Sequence, residues 1–361
     1  MSKKVLLFID ELGSGGAQRQ IVALAKLLKH NNYNVSIVDY WDNPFYDKEL
    51  QNANIKFEHH LTKGKFQIIK FFINYVSANK PDVVIAYMEH PSIVACIAKL
   101  LCRHKFKLIV SERNTTQIKD LNCYIRFNLF RLADYIVPNS YSQKEFIEKN
   151  YSFLSKKVFP ITNLINTDFF SPIETPVKRN NGKLRCLVVG RVVEQKNVLR
   201  FIIALSKIKE VTNDFFVDWY GKPFPKEYFE KCMELVRVHE LDKYIKFHAP
   251  HSNIINEYRS SDFFVLPSIY EGFPNVLCEA MSCGLPVLSG NVCDNANIME
   301  DGKNGFLFDP FNSDDIADKI CKFIRLPKEE KELFGRNSRL LSLEKFNEKN
   351  FISKYIKLIE A

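Results

Sequence analysis

Short apolar runs alternate along the chain with longer segments whose apolar residues recur every three or four positions. The run "KVLLFID" starting at Lys4 is followed by "GSGGAQRQIVALAKLLKHNNY", where Ile21, Leu24, Ala25 and Leu28 share one helical face and Asn31-Asn32 marks a stop. The runs "NVSIVDY", "PDVVIAY", "KLIVSE" and "DYIVPNS" continue the series, each separated by a helix-length segment. Alternation of this kind predicts α/β architecture with a parallel, doubly wound sheet. A polar stretch with two prolines and a glycine, "SPIETPVKRNNGK" (Ser171 to Lys183), interrupts the series, which then restarts with "LRCLVVGR", "FFVDWYG", "YIKFHA", "FFVLPS", "LPVLSG" and "GFLFDP". The expected organisation is therefore two Rossmann-like domains, 1–170 and 184–340, joined by a linker at 171–183 and followed by a terminal segment, 341–361. A cleft between two such halves is expected to hold the ligand, since open α/β sheets bind at the carboxyl ends of their strands.

Composition supports two cores. The chain has 361 residues, 46% of them hydrophobic, and single cores rarely grow beyond roughly 250 residues. The start "MSKKVLLFIDELGSGG" is basic, but Asp10 and Glu11 cut its apolar run too short for a signal peptide. No apolar run approaches the ~18 residues of a membrane span. The nine cysteines are odd in number, lack C-x-x-C spacing and lie in apolar segments, as reduced thiols do. A soluble, cytoplasmic protein is expected. The net charge of +9 is unevenly placed: residues 1–165 carry 23 Lys and Arg against 14 Asp and Glu, whereas residues 166–361 carry 28 of each. A first domain facing an anionic surface or a phosphorylated substrate explains this asymmetry better than uniform binding to nucleic acid.

Three loops at predicted strand ends carry the candidate chemistry. "GSGGAQR" feeds a glycine-rich turn directly into a helix, whose free N–H groups suit an anion; a tight turn needing glycine explains it equally. Its spacing is neither G-x-G-x-x-G nor a phosphate loop with its lysine, which disfavours NAD and ATP. In "CLVVGRVVEQKN", Gly190 ends a strand, Arg191 stands at its tip and Lys196 follows before a helix. Two such cations suit a diphosphate, although a solvated basic turn is the plainer reading. The third loop is "SIYEGFPNVLCEAMSCG", residues 268–284. Here the N–H groups of Asn275, Val276 and Leu277 are expected to be open at a helix start, flanked by Glu271 and Glu279. Carboxylates do not bind phosphate but accept hydrogen bonds from hydroxyls, and a diphosphate with hydroxyls at both ends is a nucleotide sugar. No D-x-D motif lies in a suitable loop, and His59, His60, His248 and His251 read as surface and loop residues.

These motifs together resemble retaining glycosyltransferases of family 4, which have the glycosyltransferase B fold of two Rossmann-like domains. The resemblance covers nearly the whole chain: "GGAQR", "VPNS", "NLINTDFF", "VGRVVEQKN", "PSIYEGFPNVLCEAMSCGLPV" and "DGKNGFLFDP". It implies that Glu271 contacts the donor sugar, Glu279 the ribose, and Arg191 with Lys196 the diphosphate. Gly190, Gly272, Phe273, Asn275, Val276 and Leu277 complete the implied donor site, with Gly16 set against the phosphates from the first domain. Glu271, Arg191 and Lys196 are the implied catalytic residues. The final segment, "EKFNEKNFISKYIKLIEA", resembles the family's closing helix, which crosses back onto the N-terminal domain. Two departures stand out. "NVCDNANIM" replaces a stretch that often contacts the donor sugar, and "ERN" (Glu112, Arg113, Asn114) stands where relatives often carry a histidine. Arg19, Arg113 and Asn114 are candidate acceptor contacts, while a structural ion pair involving Glu112 and Arg113 accounts for that motif equally.

The resemblance implies transfer with retention at the anomeric carbon, with no cofactor and no dissociable metal. The expected donor is a nucleotide sugar, with UDP carrying a hexose or N-acetylhexosamine taken as the commonest case. The acceptor is read as a saccharide, lipid-linked if the basic, apolar segment "LTKGKFQIIKFFINYVSANK" lies on an anionic membrane surface; packing of that helix against the sheet is the rival reading. Such an enzyme would serve bacterial surface polysaccharide synthesis (O-antigen, capsule or lipopolysaccharide) from the cytoplasm or the inner face of the plasma membrane. A sugar-nucleotide epimerase of the same fold and a non-catalytic nucleotide-sugar sensor remain alternatives. A glycoside hydrolase using Glu271 and Glu279 is disfavoured, because it has no need of neighbouring diphosphate cations.

Overall fold

The computed structural model describes residues 2–116, 118–173, 182–251 and 253–361. They form two compact units, Met1–Leu164 with Glu348–Ala361, and Ile165–Asn347. In the first unit β1 (Lys4–Phe8), β2 (Asn34–Asp39), β3 (Lys56–His59), β4 (Val83–Tyr87), β5 (Lys107–Glu112) and β6 (Tyr135–Pro138) make one parallel sheet in the order β3-β2-β1-β4-β5-β6. Strand β1 is flanked by β2 and β4, so the strand order reverses beside it. Side chains alternate between faces, sending Leu6 and Phe8 into one core with Phe72, Phe127 and Phe130, and Val5 and Leu7 into another with Ile21, Leu24 and Leu28.

The last helix, Glu348–Glu360, belongs to this first unit. It buries Phe351, Ile352, Tyr355, Leu358 and Ile359, the i, i+1, i+4, i+7, i+8 pattern of an amphipathic face, in the second of these cores. Each such side chain contributes roughly 1.5–3 kcal/mol when fully buried. Polar ties add direction: the Tyr355 hydroxyl lies 2.8 Å from that of Tyr87 and accepts from Arg113 at 2.6 Å.

The second unit repeats the plan with β7 (Leu184–Val189), β8 (Phe215–Tyr220), β9 (Ile245–His248), β10 (Phe263–Leu266), β11 (Val287–Gly290) and β12 (Gly305–Phe308), ordered β12-β11-β10-β7-β8-β9 and parallel throughout. Its reversal lies beside β7, whose carboxyl end carries Gly190 and Arg191. Arg185 braces the middle of this sheet, donating to Asp218 at 2.6 Å, Glu257 at 2.6 Å and Ser260 at 2.7 Å. The helix Lys328–Lys345 also packs in this unit, with the Ser342 and Ser282 hydroxyls 2.7 Å apart. Two six-stranded, doubly wound sheets are the α/β architecture expected from the alternation.

Several details differ from the sequence reading. The units divide at 164/165 and 347/348, because Ile165, Phe170 and Phe346 pack with Tyr258 and Leu277 in the second unit's core. The middle of the expected linker, 174–181, lies outside the described residues. In the helix Lys65–Asn79, Ile68, Phe72, Tyr75 and Val76 face the core, while Phe66 is 88% exposed. The apolar face expected to meet a membrane is therefore mostly sheet packing. His59 and His248 are not loose surface residues. His59 sits between Asp39 (2.9 Å) and Asp47 (3.1 Å), and His248 lies 2.6 Å from Asp218. Among the described residues, no helix is long and apolar enough to cross a membrane.

Candidate functional site

The site in the second unit is built by the loops that follow β7 and β10. Gly190 is held by its neighbour strand: its N–H donates to the Tyr220 carbonyl at 2.9 Å, and its own carbonyl accepts from the Trp219 indole at 2.8 Å. A Cβ on Gly221 would lie 1.9 Å from that carbonyl oxygen, so only glycine permits this approach. Arg191 therefore leaves a fixed strand end, and it is exposed. The chain then makes a short 3₁₀ turn, Glu194–Lys196, and Asn197 adopts a left-handed conformation (φ 59°) that starts the helix Val198–Lys209. The Asn197 amide donates to the carbonyls of Pro267 (3.0 Å) and Pro310 (2.6 Å), and Gln195 is bonded to Ile269 and Tyr270 through backbone and side chain. The two loops are thereby stapled side by side.

This stapling brings Lys196 to Glu271. Its Nζ lies 2.5 Å from Glu271 Oε1, with side-chain exposures of 13% and 9%. The lysine stem crosses Gly190, where a Cβ would meet Lys196 Cε at 3.1 Å. The Glu271 N–H donates to Cys293 Sγ at 3.4 Å, and burial raises that thiol's pKa. Glu279 is also buried and accepts from the Tyr258 hydroxyl at 3.1 Å. So Gly190, Arg191, Lys196, Glu271 and Glu279 all belong to one unit, four of them on the two stapled loops and Glu279 on the helix that follows.

The start of the helix Asn275–Ser282 corrects one expectation. The Asn275 N–H bonds the Phe273 carbonyl at 2.9 Å and the Leu277 N–H bonds the Pro274 carbonyl at 3.0 Å, so the turn engages two of the three donors read as open. Val276 N–H, among the described residues, has no such backbone acceptor. Phe273 and Leu277 point their side chains into the core, and Gly272 supplies only backbone.

In the first unit Gly16 begins the helix Gly16–His30 and is exposed, with Arg19 one turn on, close enough to act on Tyr46. Arg113 is turned inward. Its guanidinium lies 4.2 Å from the Tyr87 ring centroid and donates to Asn163 (3.0 Å) and Tyr355 (2.6 Å). This corrects its reading as an acceptor contact: a cation 7% exposed and shared among three residues holds the last helix in place. Nor does it pair with Glu112, whose cation is Arg126, 3.7 Å away. Asn114 lines a cavity of about 320 Å³. Sequence reasoning missed Arg126 and Glu89, which meet at 2.5 Å, and the stacked pair Tyr220 and His248 (4.5 Å) at the carboxyl ends of β8 and β9. Only the position of Tyr220 and His248 at strand ends could have flagged them.

The family profile described as "Glycosyl transferases group 1" matches residues 172–340, and that described as "Glycosyltransferase Family 4" matches residues 14–169. The amylovoran biosynthesis glycosyltransferase AmsD of Erwinia amylovora is 25% identical over 296 residues, 79% of this chain and 80% of its own. A Campylobacter jejuni protein named N-acetylgalactosamine-N,N'-diacetylbacillosaminyl-diphospho-undecaprenol 4-alpha-N-acetylgalactosaminyltransferase is 24% identical over 303 residues, again 79% of this chain and 80% of its own. Among solved structures, Anabaena HepE in complex with UDP superposes with a TM-score of 0.87 at 17% identity, covering 99% of both chains.

Proposed function

Because the chain belongs to the group 1 glycosyltransferases, with their glycosyltransferase B fold of two Rossmann-like domains, we propose that it is a retaining enzyme that moves a hexose or N-acetylhexosamine from a nucleoside diphosphate, UDP in the first instance, to a lipid-linked saccharide. The observation that carries the donor half of this reading is the Lys196–Glu271 pair beside Arg191. Cations for a diphosphate and a carboxylate for hydroxyls meet on two stapled loops, with Glu279 on the next helix for the ribose. As the bond from the anomeric carbon to the diphosphate oxygen breaks and the acceptor hydroxyl oxygen bonds to that carbon, giving up its proton to the departing diphosphate, negative charge grows on the leaving diphosphate oxygen before that proton arrives. Arg191 and Lys196 supply fixed positive charge there, with the Val276 N–H the donor left, among the described residues, by the turn at the start of the helix Asn275–Ser282, the preorganised stabilisation that accelerates such steps. In this reading the chemistry needs no dissociable metal.

The acceptor half rests on relatives. The Campylobacter jejuni protein's name places its acceptor on diphospho-undecaprenol, and AmsD is named for amylovoran biosynthesis. We place this chain in bacterial polysaccharide assembly on that basis. The exposed Leu61 and Phe66 beside Lys63 and Lys65 are the surface for an anionic membrane.

The test is release of nucleoside diphosphate across a panel of nucleotide sugars, with and without lipid-linked acceptors. Acceptor-dependent release with an α-linked donor giving an α-linked product supports the proposal. Turnover of nucleotide sugar without acceptor, giving an epimer, would make it an epimerase; binding without release would make it a sensor.

A further inference from the structure

Beside the helix Asn275–Ser282 lies Tyr258, a core residue with no part in the donor reading so far. It stands on the short helix Ile255–Arg259 and is 0% exposed. Its ring is wedged between Phe170, edge-on with centroids 5.9 Å apart, and Phe264, tilted at 5.9 Å, so the phenol has little room to swing. The hydroxyl reaches two acceptors one turn apart on the neighbouring helix, Glu279 Oε2 at 3.1 Å and the Val276 carbonyl at 3.3 Å. Residues three apart share a helix face and helical side chains lean toward the start of their helix, which is how one donor meets both.

The mount of Tyr258 is itself fastened to β7. Arg185, in that strand, donates to Glu257 Oε2 at 2.6 Å, Ser260 Oγ at 2.7 Å and Ser261 Oγ at 3.3 Å, residues on both sides of Tyr258 in sequence. Backbone bonds with Asp262 add to this, since the Arg185 N–H donates to the Asp262 carboxylate at 2.6 Å and its carbonyl accepts from the Asp262 N–H at 2.9 Å. Arg259, the next residue on the helix, donates to the Ser171 carbonyl at 2.8 Å. The carboxyl end of this same strand carries Gly190 and Arg191. One strand therefore sets the cation assigned to the diphosphate and, through Arg185 and Tyr258, the carboxylate assigned to the ribose. A phenol that needed only a partner for its own proton would be satisfied by the Val276 carbonyl; the nearer acceptor is the charged one, where the bond is stronger.

We propose that Tyr258 is a positioning residue for nucleotide recognition: its hydroxyl fixes the Glu279 carboxylate in the orientation that meets the hydroxyls of the donor's ribose. Tyr258 does not touch the nucleotide and acts only through Glu279. The assignment rests on the reading of Glu279 as the ribose contact and names what holds that contact in register with Arg191. A glutamate free to swing about its side-chain torsions loses hydroxyl recognition before it loses the rest of the nucleotide. Discrimination between ribose and dideoxyribose, rather than overall affinity, is thus the property that Tyr258 controls.

The experiment is titration calorimetry of the full chain with UDP and with 2′,3′-dideoxy-UDP, for the wild type, Tyr258→Phe, Glu279→Ala and the double variant, with a thermal melt of each. Tyr258→Phe keeps the ring between Phe170 and Phe264 and removes only the hydroxyl. The wild type is expected to bind UDP roughly tenfold or more tightly than the dideoxy nucleotide, the scale of a hydrogen bond to a charged group. In Tyr258→Phe this ratio is expected to fall about threefold or more with the dideoxy Kd nearly unchanged, and in the Glu279→Ala background the same change is expected to have no effect on the ratio. An unchanged ratio in a folded Tyr258→Phe, whatever its Tm, or an equal loss with both nucleotides, makes Tyr258 a packing residue and overturns the proposal. If the phenylalanine variant does not fold, 3-fluorotyrosine at position 258 keeps the hydroxyl, and its fluorine NMR signal is expected to move further with UDP than with the dideoxy nucleotide; equal shifts overturn the proposal. Failure of the wild type to discriminate the two nucleotides, or to bind either, instead overturns the reading of Glu279 and the donor site on which the proposal rests.

Discussion

Replacing Lys196 with alanine separates catalysis from stability in a way that the geometry makes quantitative. The lysine Nζ lies 2.5 Å from Glu271 Oε1 and both side chains are mostly buried. Removing one partner of a fully buried pair costs about 3–5 kcal/mol, and partial exposure scales this down to about 1–3 kcal/mol. For a unit of this size, that lowers Tm by roughly 2–10 °C. Loss of a fixed charge stabiliser beside the leaving diphosphate costs about 2.7–4 kcal/mol of transition-state energy, a fall of roughly 10²–10³-fold in kcat. The double variant Lys196→Ala with Glu271→Gln isolates the stability effect, because Glu271 is itself assigned to the donor sugar; the catalytic effect is read from Lys196→Ala alone. A neutral amide needs no cation, so Tm recovers part of its loss. The assays are coupled nucleoside diphosphate release at saturating donor and a thermal melt of the same samples. A kcat for Lys196→Ala within threefold of wild type would refute the assignment of Lys196 to the diphosphate.

Three further outcomes follow from the geometry. Glu112 has a folded-state pKa raised to about 7 by burial, so the folded protein binds a proton that the unfolded chain has released between the ordinary carboxylate range and pH 7. Stability from this group is thus lost as pH rises through that window, and Glu112→Gln should leave Tm nearly unchanged at pH 5 and raise it at pH 8; an equal effect at both would contradict the burial argument. Tyr355→Phe removes the hydroxyl shared with Arg113 and Tyr87, and urea unfolding should report a loss of about 1.5–3 kcal/mol, the worth of a hydrogen bond to a charged group, with no loss counting against it. Gly221→Ala places a methyl against the Gly190 carbonyl and should lower kcat by at least tenfold by displacing Arg191; full activity would show that this loop tolerates the shift.

How far these features were legible depends on what each rests on. Periodicity carried the two sheets, because an apolar strand between amphipathic helices has few places to go; the strand orders that put the reversals beside β1 and β7 came from the structure. Residue type carried Arg191, Lys196, Glu271 and Glu279 onto adjacent loops and one helix of one unit. It did not carry the direct bond between Lys196 and Glu271: sequence reading gave each a separate ligand group, whereas in the structure the two opposite charges satisfy each other. Nor did it reveal that the carbonyls of Phe273 and Pro274 occupy two helix-start donors, since that depends on turn geometry. Arg113 was misjudged for a related reason. A loop side chain points where its tertiary partners are, and one partner, Tyr355, is 242 residues away in sequence. The pairing of His59 with Asp39 likewise exists only through the register that sets β3 beside β2.

The placement of the last helix orders events during synthesis. The first unit contains both the first 164 residues and the helix Glu348–Glu360, so the whole second unit is translated before Phe351, Tyr355 and Ile359 exist to fill the core beside Ile21 and Leu28. At roughly 5–20 residues per second the interval is on the order of 10–40 s. Throughout it that face of the N-terminal sheet is covered only in part, by the helix Gly16–His30, and Arg113 lacks the Tyr355 hydroxyl. The inserted unit, continuous in sequence, can fold first, and the unit that began the chain is the one that finishes last.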